Sequence, residues 1–307
     1  MSRPEPVLPA AKSPPPVQPI LLRAPGIEPA LSTKRSRLGR ILAGMGRTLV
    51  AYSGGVDSAY LLAEASRALG SRSLGIIAKS PSLPGAELEA ALALAESQGI
   101  SVRVIETQEM EREEYRANGP DRCYHCKAEL FERLAAIAAE EGWASIAYGA
   151  LTDDLGDVRP GMAAADHFRV RAPLLEAGLG KLEVRLLARE LGLRVWDKPQ
   201  SACLASRIPH GSPVTEMKLS QVERGEAWLR EAFGLRVARL RHEGTHARIE
   251  VLEGDIARLS EEAALSNISL TLNRLGFATV EIDPRGYRRP DPQPKVLAEE
   301  RADGEHC

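Results

Sequence analysis

The stretch that most constrains this chain is Arg47 to Gly70, RTLVAYSGGVDSAYLLAEASRALG. Leu49, Val50 and Ala51 read as a short buried strand, and Asp57 to Leu69 as a helix with Leu61, Leu62, Ala65 and Leu69 on one face. Between them, Ser53-Gly54-Gly55-Val56-Asp57-Ser58 has to turn sharply. Paired glycines allow that turn and bring bare N–H groups close to an anion, while the helix start adds unpaired donors and its positive dipole end. The hydroxyls of Ser53 and Ser58 can add further donors. The residues Ser53, Gly54, Gly55, Asp57 and Ser58 therefore predict a phosphate site. It is not the P-loop of kinases and GTPases, because no Gly-Lys-Ser/Thr follows the glycines.

Downstream, strand and helix patterns alternate. Ser73 to Lys79, Ser101 to Glu106, Ser145 to Tyr148 and Val170 to Leu175 read as strands. Pro84 to Gln98, Arg122 to Glu141 and Lys181 to Leu191 read as helices. Repeated βα units predict an α/β fold, a doubly wound parallel sheet with ligands at the carboxyl ends of its strands. From about Thr215 the texture changes to helices over Lys218 to Phe233 and Asp255 to Leu275. Short strands are predicted at Arg236 to Arg241, Ala247 to Val251 and Ala278 to Ile282, giving a smaller α+β domain. The expected organisation is a disordered Pro-rich tail over 1–33, a nucleotide domain over 34–212, a small substrate or oligomerisation domain over 213–284, and a flexible charged tail over 285–307. Nine prolines before Leu31 support the first tail, and Ser36 to Met45 reads as a short lead-in helix.

The chain has 307 residues and a net charge of -2, which predicts no broad nucleic-acid-binding surface. No apolar run is long enough to span a membrane and no signal-peptide pattern opens the chain, so a cytoplasmic protein is expected. Four cysteines, Cys123, Cys126, Cys203 and Cys307, are too few for a disulfide framework. Cys123 and Cys126 fall where a helix begins, so its dipole, with Arg122 and Lys127, can stabilise thiolates there. Two packed structural cysteines would read the same way. Cys203 sits in a polar, proline-bounded loop beside Arg207, as a nucleophile or as a small packed side chain. Arg239 and Arg241 are two apart on a predicted strand and share a face; with Ser206 or Arg207 they can bind a phosphate. A solvated edge of alternating charge is the bland alternative. Asp153, Asp154 and Asp157 can touch Mg²⁺ or a ribose, or simply cap turns. Tyr124 and Trp196 read as packing residues.

Taken together, SGGVDS, DRCYHCK, TDDLGDVRPG at Thr152 to Gly161, APLLEAGLGK at Ala172 to Lys181 and WDKPQSACLASRIPHG at Trp196 to Gly211 resemble a known family. These are the ATP-dependent sulfur transferases that make the nickel-pincer nucleotide of lactate racemase, within the PP-loop ATP pyrophosphatase group. The resemblance runs from about Arg47 to Pro284. It implies ATP and Mg²⁺ as cofactors and a pyridinium dicarboxylate mononucleotide as substrate. A carboxylate of the substrate attacks the α phosphorus, pyrophosphate leaves from the glycine turn, and an enzyme sulfur displaces AMP. It further implies that Arg239 and Arg241 hold the substrate phosphate, that Cys203 matches the sulfur-donating position, and that the protein is a homo-oligomer. With Cys123 and Cys126 also present, the resemblance points to a [4Fe-4S] cluster on three cysteines, fed by a sulfide donor. A sacrificial Cys203 is the alternative, and zinc with His125 or His210 as fourth ligand a third. A tRNA thiolase of the same group and an ATP-binding module with structural zinc are the competing functions. The sequence departs from the family at Ala150-Leu151, where Thr-Asn is usual.

Overall fold

The computed structural model describes residues 27–156, 160–199 and 202–288. Most of both expected tails, together with Asp157, Ser201 and Cys307, lies outside these residues.

The chain opens with helix α1 (Ile27–Ala43) and strand β1 (Thr48–Ala51), then α2 (Val56–Leu69) and β2 (Ser73–Lys79). The alternation continues with α3 (Gly85–Ser97), β3 (Val102–Glu106), the single turn α4 (Glu113–Arg116), α5 (Arg122–Glu141) and β4 (Ser145–Ala147). Helices α6 (Pro160–His167), α7 (Pro173–Glu176) and α8 (Lys181–Glu190) complete the first unit. Its four strands are all parallel in the order β3-β2-β1-β4. Alternate residues of the central strands feed two cores. Val50 and Ile77 enter one with Leu38, Leu61, Leu62, Leu94 and Leu187 from α1, α2, α3 and α8. Leu49, Ala51 and Ile76 enter the other with Phe131, Leu134 and Ala164 from α5 and α6. Both faces of the sheet are thus covered, as the doubly wound expectation requires.

After β1 the chain steps outward through β2 and β3, then returns to place β4 on the other side of β1. The loops leaving β1 and β4 therefore diverge, which opens a crevice at their carboxyl ends. The glycine turn borders that crevice.

Three expectations change. Residues 27–33, placed in the tail, belong to α1, because Leu31, Leu38 and Leu42 form one apolar face and all three are buried. The strand expected over Val170 to Leu175 shrinks to one parallel bridge between Arg171 and Ala147. Pro173 then lacks the N–H a ladder needs and starts α7 instead. The long helix expected over Asp255 to Leu275 is two, α10 (Glu253–Leu259) and α11 (Glu262–Arg274). Ser260 Oγ bonds the Ile256 carbonyl at 2.9 Å where the first one ends.

The smaller unit follows α9 (Glu216–Phe233). Strands β5 (Ala238–Glu243) and β6 (His246–Val251) form an antiparallel hairpin, and β7 (Thr279–Ile282) pairs parallel to β6. Leu219, Val222 and Leu229 of α9 and Ile268 and Leu272 of α11 pack on Leu240 and Ile249. The result is the expected small α+β layer. Among the described residues no helix is long and apolar enough to cross a membrane.

Candidate functional site

The turn after β1 is braced from within. Ser58 Oγ accepts from the Ser53 amide at 3.1 Å, lies 3.0 Å from Ser53 Oγ, and donates to the Gly55 carbonyl at 3.1 Å. Ser58 is therefore an inner brace, while Ser53 faces solvent. Gly54 has φ +72, and a Cβ there would meet the Ala91 Cβ at 2.8 Å, so both conformation and space require glycine. Gly55 is the N-cap of α2 and supplies no side-chain cap. The first-turn amides are left uncapped toward the crevice.

Gly149, just past β4, crosses this helix start so closely that a Cβ would lie 2.9 Å from the Ser58 nitrogen. Two lysines from distant segments also reach the turn. Lys181 Nζ donates to Asp57 at 2.8 Å, and Lys198 Nζ bonds Glu87 at 2.5 Å and approaches the Gly54 carbonyl at 3.5 Å. Sequence reasoning missed Gly149, Lys181 and Lys198 as parts of the turn. The two lysines nonetheless sit inside the APLLEAGLGK and WDKPQSAC stretches that carried the family resemblance.

Of the acidic trio, Asp153 accepts from the Lys181 amide at 2.7 Å and caps α8. Asp154 accepts from the Leu151 amide at 2.8 Å and lines the crevice. Ala150 and Leu151 are both buried, Leu151 within the first core.

The crevice is a cavity of about 620 Å³, and its wall includes Ser53, Gly55, Asp57 and Ser58 of the glycine turn together with Cys123, Cys126, Cys203 and Ser206. Cys123 and Cys126, three apart at the start of α5, share a helix face. Cys203 precedes a 3-10 turn over Leu204–Arg207. Asn118 fixes the second segment against the first. Its Nδ2 donates to the carbonyls of Pro209 and Ser212, each at 2.8 Å, and its Oδ1 accepts from Arg122 at 2.5 Å. Asn118 is fully buried with φ +58, a left-handed conformation that asparagine tolerates better than most residues. Nothing in its sequence context marks it.

Arg122 also donates to the Ala205 carbonyl at 2.8 Å. It ties α5 to the Cys203 loop rather than serving as a thiolate partner. Lys127 lines the cavity with its ammonium 5.8 Å from the Phe131 ring centroid. The expected thiolate character does not hold at Cys126. Burial pushes that thiol up to about 12, with Glu109 and Cys203 adding in the same direction. Cys123 is exposed. Tyr124 and Trp196 pack against the two cores of the parallel sheet.

The arginines are engaged with carboxylates and carbonyls. Arg207 is only 1% exposed. Its Nε donates to Glu226 at 2.7 Å, and its Nη1 to the carbonyls of Ala202 and Cys203 at 2.6 and 2.9 Å and to Ser206 Oγ at 2.9 Å. With these donors engaged, Arg207 is a buried strut of the cysteine loop. Arg239 and Arg241 do share a face of β5. Arg239 lies 3.8 Å from Glu226, whereas Arg241 makes a two-pronged pair with Glu250 at 3.0 and 2.7 Å and donates to the Ser206 carbonyl at 3.0 Å. Of this predicted set, Ser206 alone lines the cavity.

Among the described residues no group of three or more His, Cys, Asp or Glu side chains is spaced to hold a single metal ion. His125 lies 3.1 Å from Asp121, and His210 Nδ1 lies 3.1 Å from the Asn118 carbonyl oxygen. Cys123, Cys126 and Cys203 nonetheless line the same cavity, and thiolates are the usual ligands of an iron–sulfur cluster.

No protein-family model matches the chain. It is 40% identical over 258 residues to an uncharacterized protein of Synechocystis, covering 84% of this chain and 96% of that protein. It is 34% identical over 260 residues to a pyridinium-3,5-bisthiocarboxylic acid mononucleotide synthase of Lactiplantibacillus plantarum, covering 84% of this chain and 93% of that enzyme. An uncharacterized protein of Methanocaldococcus jannaschii is 28% identical over 245 residues, 79% of this chain and 91% of the relative.

Proposed function

The chain belongs to the family of the pyridinium-3,5-bisthiocarboxylic acid mononucleotide synthase, and from that membership we propose that it is an ATP-dependent sulfur transferase of nickel-pincer cofactor synthesis. The observation that carries the reading is that the glycine turn and the three cysteines line one cavity. A carboxylate of pyridinium-3,5-biscarboxylic acid mononucleotide attacks the α phosphorus of ATP, forming an acyl adenylate as pyrophosphate leaves. A sulfur nucleophile then attacks the acyl carbon, AMP departs, and a thiocarboxylate results.

Ser53, Gly54, Gly55, Asp57 and Ser58 hold the leaving pyrophosphate through the uncapped start of α2. Mg²⁺ would neutralise the phosphates, with the carboxylates of Asp57 and Asp154 facing the same space. Lys181 and Lys198 brace the turn's acidic and carbonyl groups. In the loaded protein Cys123, Cys126 and Cys203 would hold a [4Fe-4S] cluster, which supplies an iron open to external sulfide. The half-buried Cys126 thiol, whose surroundings push it up to about 12, would have to give up its proton to serve as a ligand. Arg239 and Arg241 with Ser206 would hold the substrate phosphate, in exchange for part of their carboxylate pairing. Assembly as a homo-oligomer belongs to the same proposal.

The test is product analysis on anaerobically purified protein. Pyrophosphate and AMP should appear only when the pyridinium dicarboxylate is present. Formation of ADP, or pyrophosphate release that ignores the dicarboxylate, contradicts the reading.

A further inference from the structure

The cavity wall also carries a buried carboxylate with no part in the reaction above. Glu109, in the 3-10 turn Glu109–Glu111 after β3, is 2% exposed and lines the cavity with Ser80 and Ser82 from the loop after β2. Among the described residues it takes one side-chain hydrogen bond, from Ser82 Oγ at 3.1 Å, and no lysine or arginine pairs with it. Ser82 Oγ also lies 2.9 Å from Ser80 Oγ. The single Ser82 hydroxyl proton goes to Glu109, so the contact between the serines is made by the Ser80 proton. The Ser82 amide donates to Ser80 Oγ at 3.3 Å. Every proton of the row is thus directed within it, and the cavity meets only acceptors from it.

A carboxylate held out of water with a single donor is costly unless a ligand supplies the rest. The triphosphate of ATP and the carboxylates and phosphate of the mononucleotide are themselves acceptors and are repelled here. What both ligands share is a ribose with two neighbouring hydroxyl donors, and an acidic side chain near a strand end is a suitable partner for that diol. The position fits. Neighbouring strands lie about 4.8 Å apart, so in the order β3-β2-β1-β4 the ends of β2 and β3 stand one and two spacings from the glycine turn after β1. That is the reach from a nucleotide's phosphates to its sugar. The Leu204 amide donates to the Ser82 carbonyl at 2.9 Å, which also holds the row against the Cys203 loop, where the second ligand has to come.

We propose that Glu109, held by Ser82, is a binding residue for a ribose diol, its carboxylate accepting from the two hydroxyls of ATP or of the mononucleotide substrate. This rests on the sulfur-transfer reading of the cavity, which supplies the two ligands. A buried structural carboxylate is the competing explanation. Glu109→Gln separates the two, because it keeps an acceptor for Ser82 and the volume of the side chain while removing the charge.

The test is calorimetric titration with ATP and with pyridinium-3,5-biscarboxylic acid mononucleotide, each as the ribonucleotide and as its 2′,3′-dideoxy form, which needs no turnover. For at least one of these ligands the wild type should bind the ribo form about tenfold more tightly, the size of one hydrogen bond to a charged group, and Glu109→Gln should lose most of that preference. The ligand that shows the loss is the source of the diol. If Glu109→Gln loses the ribo preference for neither ligand, the proposal is overturned, whether the preference persists or the wild type never had it. A lower melting temperature with that result would leave Glu109 a structural carboxylate. Equal weakening of ribo and dideoxy forms would also overturn it, pointing to the adenine amine, the ring cation or Mg²⁺ as the partner. Wild-type protein that shows the Glu109-dependent preference yet releases no pyrophosphate would defeat the proposed reaction alone, whereas failure to bind either ligand would defeat both.

Discussion

At the scale of single residues, the proposed anion site depends on what is missing as much as on what is present. Gly149 has no side chain, and an added Cβ would sit 2.9 Å from the Ser58 nitrogen and 3.0 Å from the Asp57 carbonyl carbon. Both are backbone atoms of a helix start, so they cannot yield cheaply. Gly149→Ala should lower pyrophosphate release on the order of a hundredfold by displacing the bound phosphates, as read by a steady-state assay with circular dichroism confirming the fold. The thiols offer a second prediction at this scale. With Cys126 pushed up to about 12 by burial and Cys123 exposed, almost no Cys126 thiolate exists near pH 8. Iodoacetamide should label Cys123 of the metal-free protein well before Cys126, and equal labelling would show that the burial is wrong. At this scale the sequence was legible where a motif speaks for itself, as in Ser53 to Ser58 and the cysteines. It was silent on Gly149 and Asn118, whose importance comes from the segment folded against them.

At the scale of elements, the Cys203 loop is held by a buried charge network. Arg207 and Glu226 are each 1% exposed and joined at 2.7 Å, with Arg230 and Arg239 around the same carboxylate. Arg207→Met should destabilise the protein by about 3 kcal/mol, because it takes the fully buried partner from a buried carboxylate; denaturant unfolding measures this. A role as a surface phosphate ligand would instead raise KM and leave stability alone. Burial by itself raises the Glu226 pKa, but Arg207, with Arg230 and Arg239, overrides it and holds the carboxyl below its ordinary value. A depressed carboxylate contributes fully above its unfolded pKa and loses that contribution as pH falls through the folded value. Stability should therefore decline on acidification below about pH 4.3, and Glu226→Gln should make that decline shallower. Most elements were readable from apolar periodicity, including α5 and α9. The failures have local causes: Pro173 denies a strand its donor, and Ser260 ends a helix that the apolar pattern alone would continue.

At the scale of the whole molecule, the smaller unit is tied to the larger at several points near the cysteine loop. Glu223 of α9 accepts from the Gly85 amide at the start of α3 at 2.6 Å, Arg236 pairs with Asp197 at 3.0 Å, and the Leu204 amide donates to the Ser82 carbonyl at 2.9 Å. These contacts carry the cysteine loop to the mouth of the parallel sheet. The two-unit α/β architecture was legible from the alternation of patterns followed by a change of texture. The meeting of turn and thiols was not, because 145 positions separate Ser58 from Cys203 in the chain, and only tertiary packing joins them.

The central claim is that acid activation and sulfur delivery occupy one cavity, and comparing products of wild-type protein and Cys203→Ser under anaerobic turnover tests it most directly. With ATP, the pyridinium dicarboxylate and sulfide, both proteins should release pyrophosphate as the acyl adenylate forms, while only the wild type goes on to exchange AMP for sulfur and yields thiocarboxylate by mass spectrometry. Thiocarboxylate from Cys203→Ser at the wild-type level would contradict the account.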